Sequence, residues 1–371
     1  MKNLNILFFL LLASCATDSY QDLVKVDTII NLKWNKAYPD DTINKSVIGL
    51  QWALSYIGAK LPNYNSNLTL NGNIIKIDTD KLGLTDNAKQ KLTILNNNIK
   101  NSNEYKITSS VDLGRYVTLL IGVSQHYYEI VDVPNELSSL LDKYTLKPEK
   151  GYINNSNISL EHRIINFSEQ SEFNQLFIST EVDPENQTIF EYETIEILPN
   201  GQLRFGIFDE NGFRKNNASP LHTNAGKPAK CIWCHESGIQ PLFSLQNDFT
   251  GYLTYLEFRD TLLNYRSSHN TNKNALLDGV GFSNTQEHTL TELLYISFME
   301  ASAERLSLEW NLPIEEVKNR LSGISTHTYD EFPFLGDLYY RNEIRPFAPF
   351  KGLEVSSSVR EKSETEVNHI N

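Results

Sequence analysis

The sequence predicts an α+β protein with a mixed α and β N-terminal region, a central β meander and a helical C-terminal region. Apolar residues recur every three or four positions in several stretches, which is the period of a helix with one buried face. Between these stretches, alternating apolar and polar residues flank two Asn-Gly pairs, which are typical of tight hairpin turns. Hydrophobic residues make up 40% of the chain, enough to build a folded core.

The N-terminus has the features of a secretory signal. Lys2 precedes an apolar run at 6–12 that is too short to span a bilayer, and small residues at 13 and 14 lead to Cys15. Leu12-Ala13-Ser14-Cys15 resembles the lipobox of bacterial lipoproteins. The resemblance implies that Cys15 is lipidated and becomes the mature N-terminus in the cell envelope, and that Ala16, in place of Asp, favours the outer membrane. An ordinary signal peptide cleaved near Ala16 is the alternative.

The charge of the chain limits the choice of partners. Acidic side chains number 46 against 33 basic ones, a formal charge of -13, and removal of Lys2 with the signal makes the mature chain one unit more negative. Such acidity makes nucleic acid an unsuitable partner. It also repels anionic lipid headgroups, so contact with the membrane is expected through the lipid anchor alone.

Composition and periodicity divide the chain into six segments. No internal repeat is evident. The predicted segments are the signal peptide 1–15, a tether 16–40, a mixed α and β region of unknown role 41–165, a β meander 166–225, a helical region 226–352 and a disordered tail 353–371.

Two helices are predicted in the mixed region. One contains Val47 to Leu61, with Asp41 and Thr42 as candidate caps and Pro62 as its stop. The second follows the apolar stripe from Ala88 to Ile99. Strands are expected at 74–77 and 127–133, where β-branched and aromatic residues cluster.

The meander and the later helices have distinct signals. Asn200-Gly201 and Asn211-Gly212 separate strand-like runs that approach the cysteine pair. One later helix is expected around 255–265. A second, at 293–310, has Thr289 and Glu292 as a candidate capping box, and a short helix is expected to follow and end at Leu321.

The chemistry of the chain is expected at Cys231, Cys234 and His235. They form a Cys-x-x-Cys-His sequence, which is the attachment sequence of c-type haem. On a helical turn, positions i, i+3 and i+4 project from one side. Both thiols can therefore reach the two vinyl groups of one porphyrin while the imidazole lies beneath its iron. The chain has three cysteines in all, so this pair is all that remains beside the lipobox residue.

Other uses of the pair stay open at this point. Two cysteines in an oxidising compartment can form a small-loop disulfide or a thiol-disulfide exchange site. Exchange enzymes place the pair in a βαβ context that the sequence does not predict here. A zinc site built from Cys231, Cys234 and a distant His would lack a second ligand pair at the usual spacing.

The segment from Gly226 to Phe243 resembles a mono-haem c-type cytochrome. The resemblance covers a small part of the chain and implies haem c as cofactor, with Cys231 and Cys234 as thioether residues and His235 as the proximal iron ligand. The resemblance also implies that 226–352 is the haem-binding region. A Gly-Pro-Leu stretch often follows the motif in small class I cytochromes. Here it is matched only loosely, by Gly238, Pro241 and Leu242.

Three functions are compatible with this reading. The first, which the sequence favours, is electron transfer by a tethered haem between redox protein partners, and the other two are alternatives to it. The second is a haem enzyme or sensor whose distal side binds a small molecule. The third is a binding lipoprotein whose cysteine pair forms a structural disulfide.

The sixth iron ligand has one main candidate. Met299 is the single methionine left after signal removal, and methionine ligation would raise the reduction potential. Its place in an apolar stripe is equally typical of core packing. An empty position is a further alternative, and the rival histidines are His222, His269, His288 and His327.

Overall fold

The computed structural model describes residues 28–60, 68–276 and 287–371. The signal peptide, Cys15 and the first part of the predicted tether, to residue 27, lie outside these ranges. Helices and strands are both abundant, with a central five-stranded antiparallel sheet followed by helices, so the α+β class predicted from the sequence is confirmed. Within the described ranges, no helix combines the length and apolar character needed to cross a membrane.

The N-terminal region contains a four-stranded sheet in the order β2-β3-β1-β4. Strand β1 pairs antiparallel with β3 and parallel with β4, and its Ile30 and Leu32 side chains are fully buried. The end of the predicted tether is therefore part of a folded sheet. The four strands are β1 Ile29–Lys33, β2 Leu68–Asn71, β3 Ile74–Asp78 and β4 Val111–Asp112.

Six helices accompany this sheet within the described residues. Thr42 caps the first of them by accepting a hydrogen bond from the Lys45 backbone amide, as predicted, although the helix ends at Ser55. The predicted strand at 127–133 is wrong, because residues 127–131 belong to helix α5 and Asp132 caps its end in a left-handed conformation. Their aromatic and β-branched side chains are buried on nearly all sides, which hides the helical period. The helices are α1 Ile43–Ser55, α2 Asp86–Asn101, α3 Asn103–Thr108, α4 Leu113–Val117, α5 Ser124–Val131 and α6 Ser138–Leu141.

The central sheet is a meander in which each strand pairs antiparallel with the next. The Asn200-Gly201 turn lies where predicted, and Gly201 adopts a φ of 85° that favours glycine. The buried Asn200 side chain donates to the carbonyls of Ser55 and Ala59 at 2.8 Å each, which joins this turn to the end of α1. The strands are β5 Gly151–Ile153, β6 His162–Phe167, β7 Leu176–Val182, β8 Ile189–Ile197 and β9 Leu203–Asp209.

The C-terminal region is mainly helical. A capping box joins Thr254 and Glu257, whereas the one predicted at Thr289 and Glu292 is absent, since the helix starts at His288 and Glu292 is buried. The predicted single stripe at 293–310 is interrupted by β10, which pairs with β11. The elements are α7 Pro228–His235, α8 Tyr255–Ala275, α9 His288–Met299, β10 Glu300–Ser302, α10 Ala303–Trp310, α11 Ile314–Arg320, β11 Leu338–Tyr340 and α12 Arg341–Ile344.

The final segment 353–371 has neither helix nor strand, but it packs against the body of the protein. Ser356, Val359 and Ile370 are almost fully buried. The tail predicted to be disordered is therefore part of the folded structure. Its low apolar content suggested disorder, but its polar groups find partners on other elements.

Candidate functional site

Helix α7 contains the whole Cys-x-x-Cys-His sequence in its eight residues. Pro228 occupies its first turn, where the missing backbone donor costs nothing. The helix stops directly after His235, because Glu236 and Ser237 adopt left-handed φ values of 46° and 64°. The motif therefore lies on a short rigid turn with a defined beginning and end.

Cys231, Cys234 and His235 all line one cavity. The empty space in it measures about 1040 Å³, including the part open to solvent. The cavity is lined by residues of the central sheet, of α7, of the segment 239–243 and of α8.

The walls of this cavity are mainly apolar and aromatic. Phe205 of β9 lies beside the His235 ring, with centroids 5.5 Å apart. Phe243 and Phe258, which also line the cavity, stack at 5.2 Å with nearly parallel planes. Flat apolar surfaces of this kind suit the faces of a porphyrin.

The His235 imidazole is in the neutral form that binding to iron requires. Burial lowers its pKa to about 4, so the ring is neutral at physiological pH. Among the described residues, its buried Nδ1 atom makes no hydrogen bond of normal geometry, and an orphaned polar atom costs about 1–3 kcal/mol. A neutral, incompletely satisfied imidazole facing an apolar cavity fits the axial ligand of a haem.

The two thiols are free and partly exposed. Burial raises the pKa of Cys231 well above its usual value, and burial also raises the pKa of Cys234. Thiol-disulfide exchange requires the opposite shift, because the thiolate is the nucleophile. Among the described residues, no group of three or more His, Cys, Asp or Glu is arranged to hold a metal ion. Haem differs in this respect, since its porphyrin supplies four of the iron ligands.

The C-terminal segment holds α7 in place, a role that the sequence did not reveal. Buried Lys227, just before the helix, donates to the carbonyls of Gly122 and Ser358 at 2.5 and 2.9 Å and forms an ion pair with Glu366. Trp233 stands between the two cysteines in the sequence, and the Arg360 guanidinium lies 4.6 Å from the centroid of its ring.

The other end of α7 is held by α8. Lys273 is buried and donates to the Ser237 carbonyl at 2.6 Å. Burial lowers the pKa of Lys273 to about 7. A carboxylate oxygen of Glu236 lies 3.3 Å from Nε2 of His288, which connects the same turn to α9. A lysine in an amphipathic helix gives no sequence signal for this contact, because only the fold brings it to the motif.

The structure does not bring Met299 to the motif. Met299 lines a separate cavity together with Arg115 and Trp310, whereas the three motif residues line the first one. In the described structure, the place of Met299 in the apolar stripe therefore reflects side-chain packing.

The four rival histidines also lie outside the residues that line the motif cavity. His222 stacks on Phe190 and pairs with Glu161 at 3.1 Å. His269 bonds to the Gly201 carbonyl at 3.0 Å. His288 approaches Glu236, and His327 contacts Glu300 at 2.7 Å.

A charged cluster interrupts the apolar sheet wall. Arg163 of β6 forms ion pairs with Glu181 of β7 at 2.5 Å and with Glu193 of β8 at 3.4 Å. Arg163 and Glu193 line the motif cavity. The sequence analysis missed these residues, although alternation along the strands would have placed Glu193 on the same face as apolar Ile195.

Comparison with known protein families, with curated proteins and with solved structures gives no significant match. The function of this site is therefore inferred from its own residues and geometry.

Proposed function

We propose that this chain is an exported, lipid-anchored protein that carries one covalent c-type haem at Cys231, Cys234 and His235. The observation that carries the proposal is that all three residues line one apolar cavity from a single short helix. The two thiols would hold the porphyrin by thioether bonds, and His235 would bind its iron. When bound, the haem supplies redox chemistry or a coordination position for a small molecule.

The protein's own groups would tune the cofactor in defined ways. Apolar side chains such as Phe205 and Phe258 would exclude water from it. Helix α7 would be held at one end by Lys227 and at the other by Lys273. A fixed helix keeps the imidazole and both thiols in one orientation, which lowers the reorganisation needed for electron exchange or ligand binding.

Small-molecule binding is the use of the haem that the geometry favours. Among the described cavity-lining residues, His235 is the one histidine, and methionine is absent. No second side chain of the types that commonly bind haem iron therefore faces His235 in that part of the chain, and the distal position would be open.

Electron transfer between redox proteins is the second candidate. It is favoured by the open side of the cavity, where Leu242 is 41% exposed and the edge of a bound haem would be accessible to a partner protein. Anchoring through Cys15, which lies outside the described residues, would keep either function at the membrane, and we propose the outer membrane.

The cofactor is tested by producing the exported domain in a host with cytochrome c maturation. We expect haem staining on a denaturing gel and a two-thioether pyridine haemochrome at one haem per chain. Cys231→Ala or Cys234→Ala should lose this haemochrome. Trp233→Ala is the matched control on the same helix and should keep it, because Trp233 contacts Arg360 and does not line the cavity. Absence of covalent haem in the unsubstituted chain would refute the proposal.

The two uses are separated by the ferric spectrum of the loaded protein. A high-spin spectrum that shifts when cyanide is added indicates an open position. A low-spin spectrum that cyanide leaves unchanged indicates a protein sixth ligand and favours electron transfer.

The anchor is tested by fatty-acid labelling of the full chain. Label should enter the wild type and be absent from Cys15→Ser. Equal labelling of both would indicate that the lipobox assignment is wrong.

A further inference from the structure

A second cavity, the one that Met299 lines, lies apart from the motif cavity and has a different chemistry. Its empty space measures about 1030 Å³, including the part open to solvent. Among the described residues, the two cavities share no lining side chain. Cations outnumber carboxylates in its lining, although the whole chain carries a formal charge of -13. The cations are Arg115, Arg341, Arg345 and Lys351, and the carboxylates are Glu309 and Glu354.

The three arginines of this cavity already have carboxylate partners. Glu309 is shared with Arg305, which Asp112 also binds, so that group is balanced. The Lys351 ammonium group has no carboxylate partner in the described part of the chain, so one positive charge is left uncompensated. A single bound monoanion would balance it. The pairs are Arg115–Glu104 at 2.7 Å, Arg341–Glu309 at 2.7 Å and Arg345–Glu354 at 2.6 Å.

The Arg115 guanidinium is held rigidly and has one nitrogen to spare. Nε faces Glu104, and Nη1 donates to the Leu353 carbonyl at 2.8 Å, whereas Nη2 has no hydrogen-bond partner among the residues described. The guanidinium carbon lies 4.9 Å from the centroid of the Phe298 ring. Gly352 packs so closely on the same guanidinium that any side chain at 352 would collide with it. Nη2 is therefore a fixed donor that remains for a ligand.

Lys351 lies on the same stretch of the cavity lining as Arg115. It directly precedes Gly352, and its backbone carbonyl accepts a hydrogen bond from the Glu104 amide at 3.0 Å. The chain at 351–353 therefore passes directly over the Arg115–Glu104 pair. This brings the uncompensated ammonium group and the guanidinium with the spare nitrogen to one part of the cavity, where a carboxylate could accept charge-assisted hydrogen bonds from both.

Apolar side chains form a second part of the lining. They come from α9, from α12 and from the segment that follows α12, and they include Met299, Ile344, Ala348 and Phe350. Ligand pockets typically combine apolar walls with a few polar groups that fix the orientation of the ligand. An inorganic anion would use only the cations of this cavity, whereas an organic anion would also bury hydrocarbon against the apolar part.

We propose that this cavity binds a small organic monocarboxylate, with its carboxylate at Arg115 and Lys351 and its hydrocarbon part against Met299 and Phe350. The single negative charge would compensate Lys351, and the carboxylate would accept from Nη2 of Arg115. The inference goes beyond the proposed function and does not depend on the haem, because the two cavities are separate.

The test is isothermal titration calorimetry of the exported chain, with hexanoate as the probe. Hexanoate should bind at one site per chain. Acetate lacks most of the hydrocarbon and hexanamide lacks the charge, so each should bind at least about tenfold more weakly. Absence of saturable hexanoate binding, or equal affinity for hexanamide, would overturn the proposal. Inorganic phosphate bound as tightly as hexanoate would overturn the organic ligand class.

Two substitutions with opposite expected effects locate the site. Lys351→Gln removes the uncompensated charge and should weaken hexanoate binding by about threefold. Glu354→Gln removes a carboxylate of the cavity and frees Arg345, so it should tighten binding by about threefold, a gain that misfolding cannot produce. The matched controls are Lys362→Gln and Glu364→Gln, which change exposed residues of the same C-terminal stretch outside the cavity lining and should bind hexanoate like the wild type.

The possible results are distinguishable. Hexanoate affinity that changes in neither Lys351→Gln nor Glu354→Gln would show that the probe binds elsewhere and would overturn this site. Equal changes in the controls would show that only the net charge of the chain matters, which would also overturn it. A chain without a haemochrome that still binds hexanoate at this site would refute the proposed function and leave this inference standing.

Discussion

The most informative stability test compares Lys227, which is buried and also donates to two backbone carbonyls, with Lys230, whose ammonium group pairs with Glu361 alone among the described residues. Each lies next to or within α7 and pairs with a glutamate of the C-terminal segment. Lys227 is 1% exposed and its partner Glu366 is 7% exposed, whereas Lys230 and Glu361 are 14% and 59% exposed. The same kind of ion pair is therefore present once in the interior and once at the surface.

Lys227→Met removes the buried member and leaves the Glu366 carboxylate without its cation. Breaking a buried pair in this way costs about 3–5 kcal/mol. Lys230→Met removes the surface pair, which is worth about 0.2–1 kcal/mol. Since single domains are stable by about 5–15 kcal/mol, the first change should consume a large part of the unfolding free energy and the second very little.

The assay is urea unfolding of the exported chain, followed by tryptophan fluorescence and circular dichroism. Lys227→Met should lower the midpoint strongly. The double variant Lys227→Met/Glu366→Gln should recover part of the loss, because no uncompensated charge remains, while the Gly122 and Ser358 carbonyls still lack the lysine donor. Glutamine at 366 also keeps an acceptor for Ser124. Equal midpoints for Lys227→Met and Lys230→Met would refute the argument that the tail holds α7 through a buried ion pair.

Two further outcomes are expected. Met299→Ala should leave the ferric spectrum of the loaded protein unchanged, since Met299 lines a different cavity from His235; loss of a band assigned to methionine ligation would contradict this. Burial lowers the pKa of His269 to about 3 from 6.5, so the unfolded chain binds the extra proton and stability is lost as pH falls from about 6.5 towards 3. His269→Gln should flatten this part of the stability curve by up to about 1.4 kcal/mol per pH unit, and an unchanged slope in urea unfolding would show that His269 does not titrate in this way.

Local sequence signals were reliable where the structure they predict is local. The α+β class, the Asn200-Gly201 hairpin and the Thr42 cap follow from turn chemistry, side-chain alternation and capping, which involve only a few neighbouring residues. The same holds for the spacing of Cys231, Cys234 and His235, because one helical turn suffices to bring them to one side.

The two wrong structural predictions, at 127–133 and at 353–371, have one cause. In both segments, the local sequence pattern does not indicate which side chains are buried. Residues 127–133 resemble a strand because apolar side chains are needed on nearly every side of α5. The segment 353–371 resembles a disordered tail because its stabilising contacts are polar and long-range. Neither fact can be read from a window of neighbouring residues.

The sequence by itself therefore determined the class of the fold, the helical turn of the motif and the chemistry that its residue types suit. Only the tertiary structure decided what surrounds that turn. It brought Arg163 and Glu193 to the cavity, directed Lys227 and Lys273 to the two ends of α7 and separated Met299 from His235. The physical reason is that a cavity and a buried ion pair are made by residues far apart in the chain, and their proximity depends on the packing of the whole domain.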